Sequence, residues 1–293
     1  MSSTILLYHG VTNTTSCGVE NFSKKHIQAD NFEKQMKYLS MNKHVTTLRE
    51  IAANPDMHAV AVTFDDAYKN VHDVALPILK KYNIPATFFI STGFVGKNRL
   101  FWTDKLEHMI NYAKVNKLNI QLGKFDIDTI ENKIQTLICI KQQIKLMNIR
   151  ERHNIIKEIL EQTGITECNN IENYKTLSWN DVEALDEQPM YEVGGHGTNH
   201  ETLSMIQKDT YKYEIQNCIE ALEQHLHRKI DLFSYPEGQE EHFNNDIISY
   251  LKSLGISICP TAIYGVNKKN DDPFHLKRIM IEFMNNVFPF RIE

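Results

Sequence analysis

Two histidines four residues apart, His196 and His200, stand in Gly194-Gly195-His196-Gly197-Thr198-Asn199-His200, directly after Tyr191-Glu192-Val193. A second segment, Thr63-Phe64-Asp65-Asp66, closes an apolar run and offers the carboxylates that two imidazoles need to complete a metal site. Two neutral nitrogens and one carboxylate oxygen, with a position left for water, form the donor set of a hydrolytic zinc centre. These residues point first to a metal-dependent hydrolase. The first histidine is not followed by glutamate, which argues against a helical zinc peptidase of the His-Glu-x-x-His kind.

Neighbouring residues of a strand face opposite sides, so Asp65 and Asp66 can meet at one atom only where the backbone turns at the strand's carboxyl end. Parallel barrels place their active sites at that end. The expected division of labour gives one carboxylate to the metal and leaves the other to accept a proton from water. Taken alone, an Asp-Asp pair more often caps a helix, and a histidine beside glycines is more often an ordinary loop residue. The Thr198 hydroxyl is expected to support the ligands. A third segment, Phe233-Ser234-Tyr235-Pro236-Glu237-Gly238, ends another apolar run. It could present the Tyr235 amide to a developing oxyanion, or it could be a plain turn.

Periodicity gives the elements that must position these groups. Buried strands are expected over 5–8, 59–64 and 84–90, and helices over 31–41 and 71–82. After Leu177 the alternation resumes, with helices over 180–185, 211–225 and 245–254 and strands over 192–193, 232–235 and 256–258. The pattern predicts one α/β domain over 1–293, a complete or irregular barrel. A helical insertion occupies about 101–175, with helices over 103–112, 126–147 and 151–161. It is expected to shape substrate choice rather than to carry the chemistry.

The length of 293 residues suits one such domain. A net charge of −5 gives no field for gripping a phosphate backbone, so nucleic acid is not an expected partner. The cysteines, Cys17, Cys139, Cys168, Cys218 and Cys259, are scattered. They read as buried small residues in a reducing compartment. The apolar run Ile5–Tyr8 stops at His9, far short of a signal or a membrane span, and a cytoplasmic protein is expected.

Taken in order, Phe64-Asp65-Asp66, His196-Gly197-Thr198-Asn199-His200 and Phe233-Ser234-Tyr235-Pro236-Glu237-Gly238 resemble the successive motifs of the polysaccharide deacetylase, or NodB-homology, family. The resemblance extends to Leu7-Tyr8-His9, Pro85-Ala86-Thr87-Phe88-Phe89, Phe101-Trp102-Thr103-Asp104, Leu177-Ser178-Trp179 and the segment Asp272 to Ile279. It implies a distorted (β/α) barrel with a helical insertion. The implied activity removes N-acyl groups, usually acetyl, from amino sugars with zinc, or with nickel, cobalt or manganese in its place. By position, Asp65 is the catalytic base and Asp66, His196 and His200 hold the metal, with the Tyr235 amide at the oxyanion. Two departures are visible. Phe233-Ser234 carries no arginine where many members have one, and the late Leu-x-His motif that supplies the general acid is missing. His275 is then the candidate acid, while His9, Trp102 and Arg278 are assigned to the substrate pocket, Arg278 alternatively orienting Asp65.

The expected function is N-deacetylation of an amino sugar, nucleotide-linked, lipid-linked or within an oligosaccharide, in surface-glycan biosynthesis. Alternatives on the same scaffold are a deformylase of a formamido sugar and a carbohydrate-binding protein without turnover.

Overall fold

Burial on both faces explains why short β-branched runs of this chain become the inner strands of a parallel sheet. The computed structural model describes residues 2–97, 99–145, 147–165 and 172–292. It divides into two units: Met1–Asn13 with Ser23–Asn98 and Lys175–Glu293, and Thr14–Phe22 with Arg99–Tyr174.

The first unit opens with β1 (Thr4–Tyr8), β2 (Gly10–Thr12), β3 (His26–Gln28), α1 (Ala29–Asn42) and α2 (Leu48–Ala53). β4 (Val60–Phe64) then leads through a π turn, Val71–Ala75, into α3 (Leu76–Lys81) and β5 (Ala86–Ile90). The single helix expected over 71–82 is thus split. Pro77 has no N–H to return to the preceding turn, and the wider π winding accommodates it.

The second unit contains α4 (Trp102–Asn111), the antiparallel pair β6 (Lys117–Ile120) and β7 (Gly123–Asp126), α5 (Ile130–Lys145) and α6 (Ile149–Thr163). They close on a core of its own that includes Leu106, Ile110, Leu137, Ile140 and Ile159. The sequence reading missed the hairpin and began α5 too early, because four-residue strands give too short an alternation to register. Gly123 turns the chain at φ 132°. A capping box between Asn148 and Glu151 starts α6, and Gly164 at φ 68° ends it. Residues 146 and 166–171 of the expected insertion lie outside the described residues, as does Cys168. Cys218 and Cys259 are buried as expected, but Cys17 is exposed on a loop.

The chain returns to the first unit with α7 (Trp179–Asp186), β8 (Tyr191–Gly195), α8 (Lys208–Leu226), α9 (Asn245–Ser253) and β9 (Ile279–Met280). Five strands form a parallel sheet in the order β8-β5-β4-β1-β9. The strands expected over 232–235 and 256–258 are reduced to isolated parallel bridges, Gly195 with Phe233 and Leu232 with Ile258. Pro236 and Pro260 lack the donors that longer ladders would need. From there Thr261 N–H donates to Leu276 O at 2.8 Å and Arg278 N–H to Ile263 O at 3.0 Å. A bridge between Tyr264 and Arg278 leads on to β9, which pairs with β1. The ring of parallel segments therefore closes as a distorted (β/α) barrel.

Period-two alternation layers its interior. Ile5, Ala61, Phe89, Leu232, Ile258 and Leu276 pack with Leu48 and Ile51 of α2. Beyond them, at the amino-terminal end, Arg49 of α2 bonds Glu192 at 2.5 Å and both oxygens of Asp231 at 2.6 Å. Helix α2 is the floor of the barrel. The opposite, carboxyl end carries the polar groups.

Candidate metal and catalytic site

Asp65 continues the alternation of β4 and turns inward in line with Thr63. Asp66 takes φ 78°, a left-handed conformation uncommon for a residue with a Cβ, and this brings its carboxylate to the same side. His196 Nε2 consequently lies 3.7 Å from Asp65 Oδ2 and 3.8 Å from Asp66 Oδ1.

The histidines follow β8, which must run very close to its neighbour. A Cβ on Gly194 would stand 2.7 Å from Leu232 O, and one on Gly195 would stand 2.8 Å from the Phe233 ring. His196 is buried, and its Nδ1 donates to Ser234 O at 2.9 Å. That carbonyl fixes the tautomer and leaves the Nε2 lone pair facing the carboxylates. Burial holds the His196 pKa down to about 4, against the attraction of Asp65, so the ring is neutral at physiological pH. His200 Nε2 stands 3.2 Å from Asp66 Oδ1.

Asp66, His196 and His200 each offer one donor atom, all within 4.8 Å of one another. Asp66 Oδ1 is buried and accepts no hydrogen bond. A buried carboxylate oxygen without a donor, facing two imidazole nitrogens, is costly unless a cation compensates it. The donor set therefore fits a divalent metal. Burial would raise the Asp66 pKa, but the Lys25 ammonium first, then His200 and His9, hold it well below the usual range.

Asp65 is held differently. Buried Arg278 donates to Oδ1 at 2.8 Å and to Oδ2 at 2.7 Å. The same guanidinium bonds Thr261 O at 2.6 Å, Ser234 Oγ at 2.8 Å and Thr63 Oγ1 at 3.2 Å. Burial raises the Asp65 pKa, and Arg278, followed by His196, more than reverses this. Of the two roles expected for Arg278, the structure shows the contact that orients Asp65.

The other assignments separate. His9 is partly buried, and its charge couples to Asp66, Lys25, Asp65 and Arg278, with burial the largest influence, lowering its pKa. The structure does not bring His275 to this cluster. Its side chain is 47% exposed, with Nδ1 paired to Asp272 Oδ2 at 3.0 Å. Tyr235 is buried, its hydroxyl donating to Phe274 O at 3.3 Å. Trp102 opens α4 in the second unit, where the Arg152 guanidinium lies 5.5 Å from its ring. Trp179 stacks on His225, with ring centroids 3.8 Å apart.

Thr198 corrects another expectation, since its hydroxyl donates to Glu214 O at 3.0 Å instead of to a ligand side chain. Two residues that the sequence reading passed over belong here. Lys25 Nζ lies 3.5 Å from Asp66 Oδ2 and bonds the Tyr68 hydroxyl. Buried Glu214 of α8 holds Asn199, between the two histidines. No local motif marks either one.

The family pattern described as polysaccharide deacetylase matches residues 52–259. Over 172 residues the chain is 28% identical to the poly-β-1,6-N-acetyl-D-glucosamine N-deacetylase of Staphylococcus aureus (strain MSSA476), covering 57% of this chain and 56% of that protein. It thus spans little more than half the length of the curated relatives it matches. Among solved structures, Streptococcus pyogenes deacetylase PplD in complex with acetate superposes with a TM-score of 0.60 and 17% identity, over 97% of this chain and 94% of that one. IcaB from Ammonifex degensii does so with a TM-score of 0.60 and 18% identity, over 96% and 91%. These likenesses are of fold. With the match to more than half of its residues, the chain belongs to the polysaccharide deacetylase family.

Proposed function

We propose that the protein is a metal-dependent N-deacetylase acting on N-acetylated glucosamine units of a glycan. The observation that carries this reading is the placement of Asp65, ion-paired and ionised, beside the donor set of Asp66, His196 and His200. The substrate class rests on the resemblance to the Staphylococcus aureus poly-β-1,6-N-acetyl-D-glucosamine N-deacetylase.

A divalent ion, with zinc the best match to two neutral imidazoles and one carboxylate, supplies Lewis acidity and an activated water when bound. The chain supplies the rest. Asp65 accepts a proton from the attacking water, and Arg278 keeps that carboxylate charged and aimed. His196 holds its Nδ1 proton on Ser234 O, so Nε2 stays available as a donor atom. The leaving amine needs a proton, and the proton that Asp65 takes from the water is available to return to it. His275, exposed and paired with Asp272, does not fill this place.

Acetate release from N-acetylglucosamine oligomers tests the reading, with Asp65→Asn and N-formylated oligomers as comparisons. Acetate from the wild type and none from Asp65→Asn supports it. Release of formate alone would transfer the assignment to a deformylase, and release of neither would contradict both.

A further inference from the structure

We infer that Glu214 is a positioning residue, whose carboxylate and carbonyl clamp the Gly197–Asn199 loop so that His196 and His200 present their Nε2 atoms to one metal ion. The inference rests on the metal reading of Asp66, His196 and His200.

The loop between the two histidines is not one the chain would adopt unaided. Gly197 takes φ 75° and His200 takes φ 57°, and left-handed backbone at a residue with a Cβ persists only where its surroundings over-determine it. Glu214 supplies that determination from the second turn of α8. Its Oε2 accepts the Asn199 N–H at 2.6 Å and its Oε1 accepts Asn199 Nδ2 at 2.6 Å. Its own carbonyl accepts the Thr198 N–H at 3.1 Å and the Thr198 hydroxyl at 3.0 Å.

The other side of the loop is held by the segment after β5. Gly93 N–H donates to Thr198 O at 2.7 Å, and Thr92 N–H donates to Gly197 O at 3.2 Å. Ser91 Oγ bonds His196 O at 3.0 Å. A Cβ on Gly93 would stand 2.3 Å from Thr198 O, so the loop cannot relax towards that segment. With the far wall rigid, the Glu214 carboxylate decides where Asn199, and therefore the adjoining His200, comes to rest. Glu214 is 2% exposed, and both of its carboxylate oxygens accept from Asn199 of this loop.

The test compares zinc affinity, by competition with a chromophoric chelator, for the wild type, Glu214→Met, Glu214→Gln and Asn199→Ala. Glu214→Met keeps the volume but removes both acceptors. It should weaken zinc about 10–100-fold, the range for groups that orient metal ligands, and it should shift the visible spectrum of the cobalt-substituted protein. Glu214→Gln can satisfy the same loop if the Asn199 amide reverses, giving one bond in each direction, and should stay within a few-fold of wild type. Asn199→Ala removes only the side-chain half of the clamp and should fall between them. It remains informative if Glu214→Met does not fold. Wild-type affinity and an unchanged cobalt spectrum in Glu214→Met, or in Asn199→Ala if Glu214→Met does not fold, would overturn the inference. A wild-type protein that takes up no zinc would overturn the metal reading itself, and this inference with it.

Discussion

Arg278 grips both oxygens of Asp65, at 2.8 and 2.7 Å, in a pair from which solvent is almost excluded. The two residues are far apart in sequence, and they meet because β4 and the segment before β9 both point inward at the carboxyl end of the barrel. The same guanidinium bonds the hydroxyl of Ser234, in the segment Phe233-Ser234 that carries no arginine of its own.

Breaking this pair should cost both stability and rate. Arg278→Met leaves a buried carboxylate uncompensated, a loss of about 3–5 kcal/mol in comparable pairs. Denaturant unfolding should show a lower midpoint, and kcat should fall as Asp65 loses its aim. A variant as stable and as active as the wild type would refute the orienting role.

The same pair sets a direction with pH. The folded pKa of Asp65 is lowered, so its contribution to stability is present above the unfolded value of about 3.9 and is lost as pH falls through the lower folded value. In Arg278→Met burial is no longer opposed and the folded pKa rises, so the ionised carboxylate opposes folding at neutral pH and the penalty is relieved as pH falls through the raised value. Urea midpoints of the two proteins should be furthest apart at neutral pH and should converge towards pH 3.

Base and ligand can be told apart by substitution. Asp65→Asn should keep bound zinc while turnover drops by about 10²–10⁴, the scale for a positioned general base. His200→Ala should lose zinc and activity together, because three protein ligands leave little redundancy. Metal loss in Asp65→Asn with retention in His200→Ala would reverse the assignments.

The barrel floor should be separable from the chemistry. Arg49 joins α2 to Glu192 and Asp231, but it is 41% exposed, so its loss should cost only about 1 kcal/mol. Arg49→Met should lower the unfolding midpoint slightly and leave kcat unchanged. A large fall in kcat at undiminished stability would show that the floor reaches the site.

What was legible in the sequence follows from the range of each cause. The segments that carry Asp65, Asp66, His196 and His200 were readable because each follows a short buried strand, and strand ends are local signals. The interior strands β1, β4 and β5 were readable for the same reason. Phe233 and Ile258 read as strands yet form single bridges, because prolines downstream remove ladder donors and only the assembled sheet shows the effect. Lys25 and Glu214 carry no local mark. Their importance lies in contacts with Asp66 and Asn199, which exist only once the chain has closed. The surroundings of His275 were of the same kind, since only the folded chain shows its side chain 47% exposed and paired with Asp272.

The most direct measurement strips the protein with a chelator, adds back zinc in steps, and follows acetate release from N-acetylglucosamine oligomers together with bound metal. The account predicts that release is absent without metal and rises to a plateau at about one ion per chain, with His200→Ala staying inactive. Acetate release that persists in the stripped protein, or that returns equally in His200→Ala at one equivalent of zinc, would contradict it.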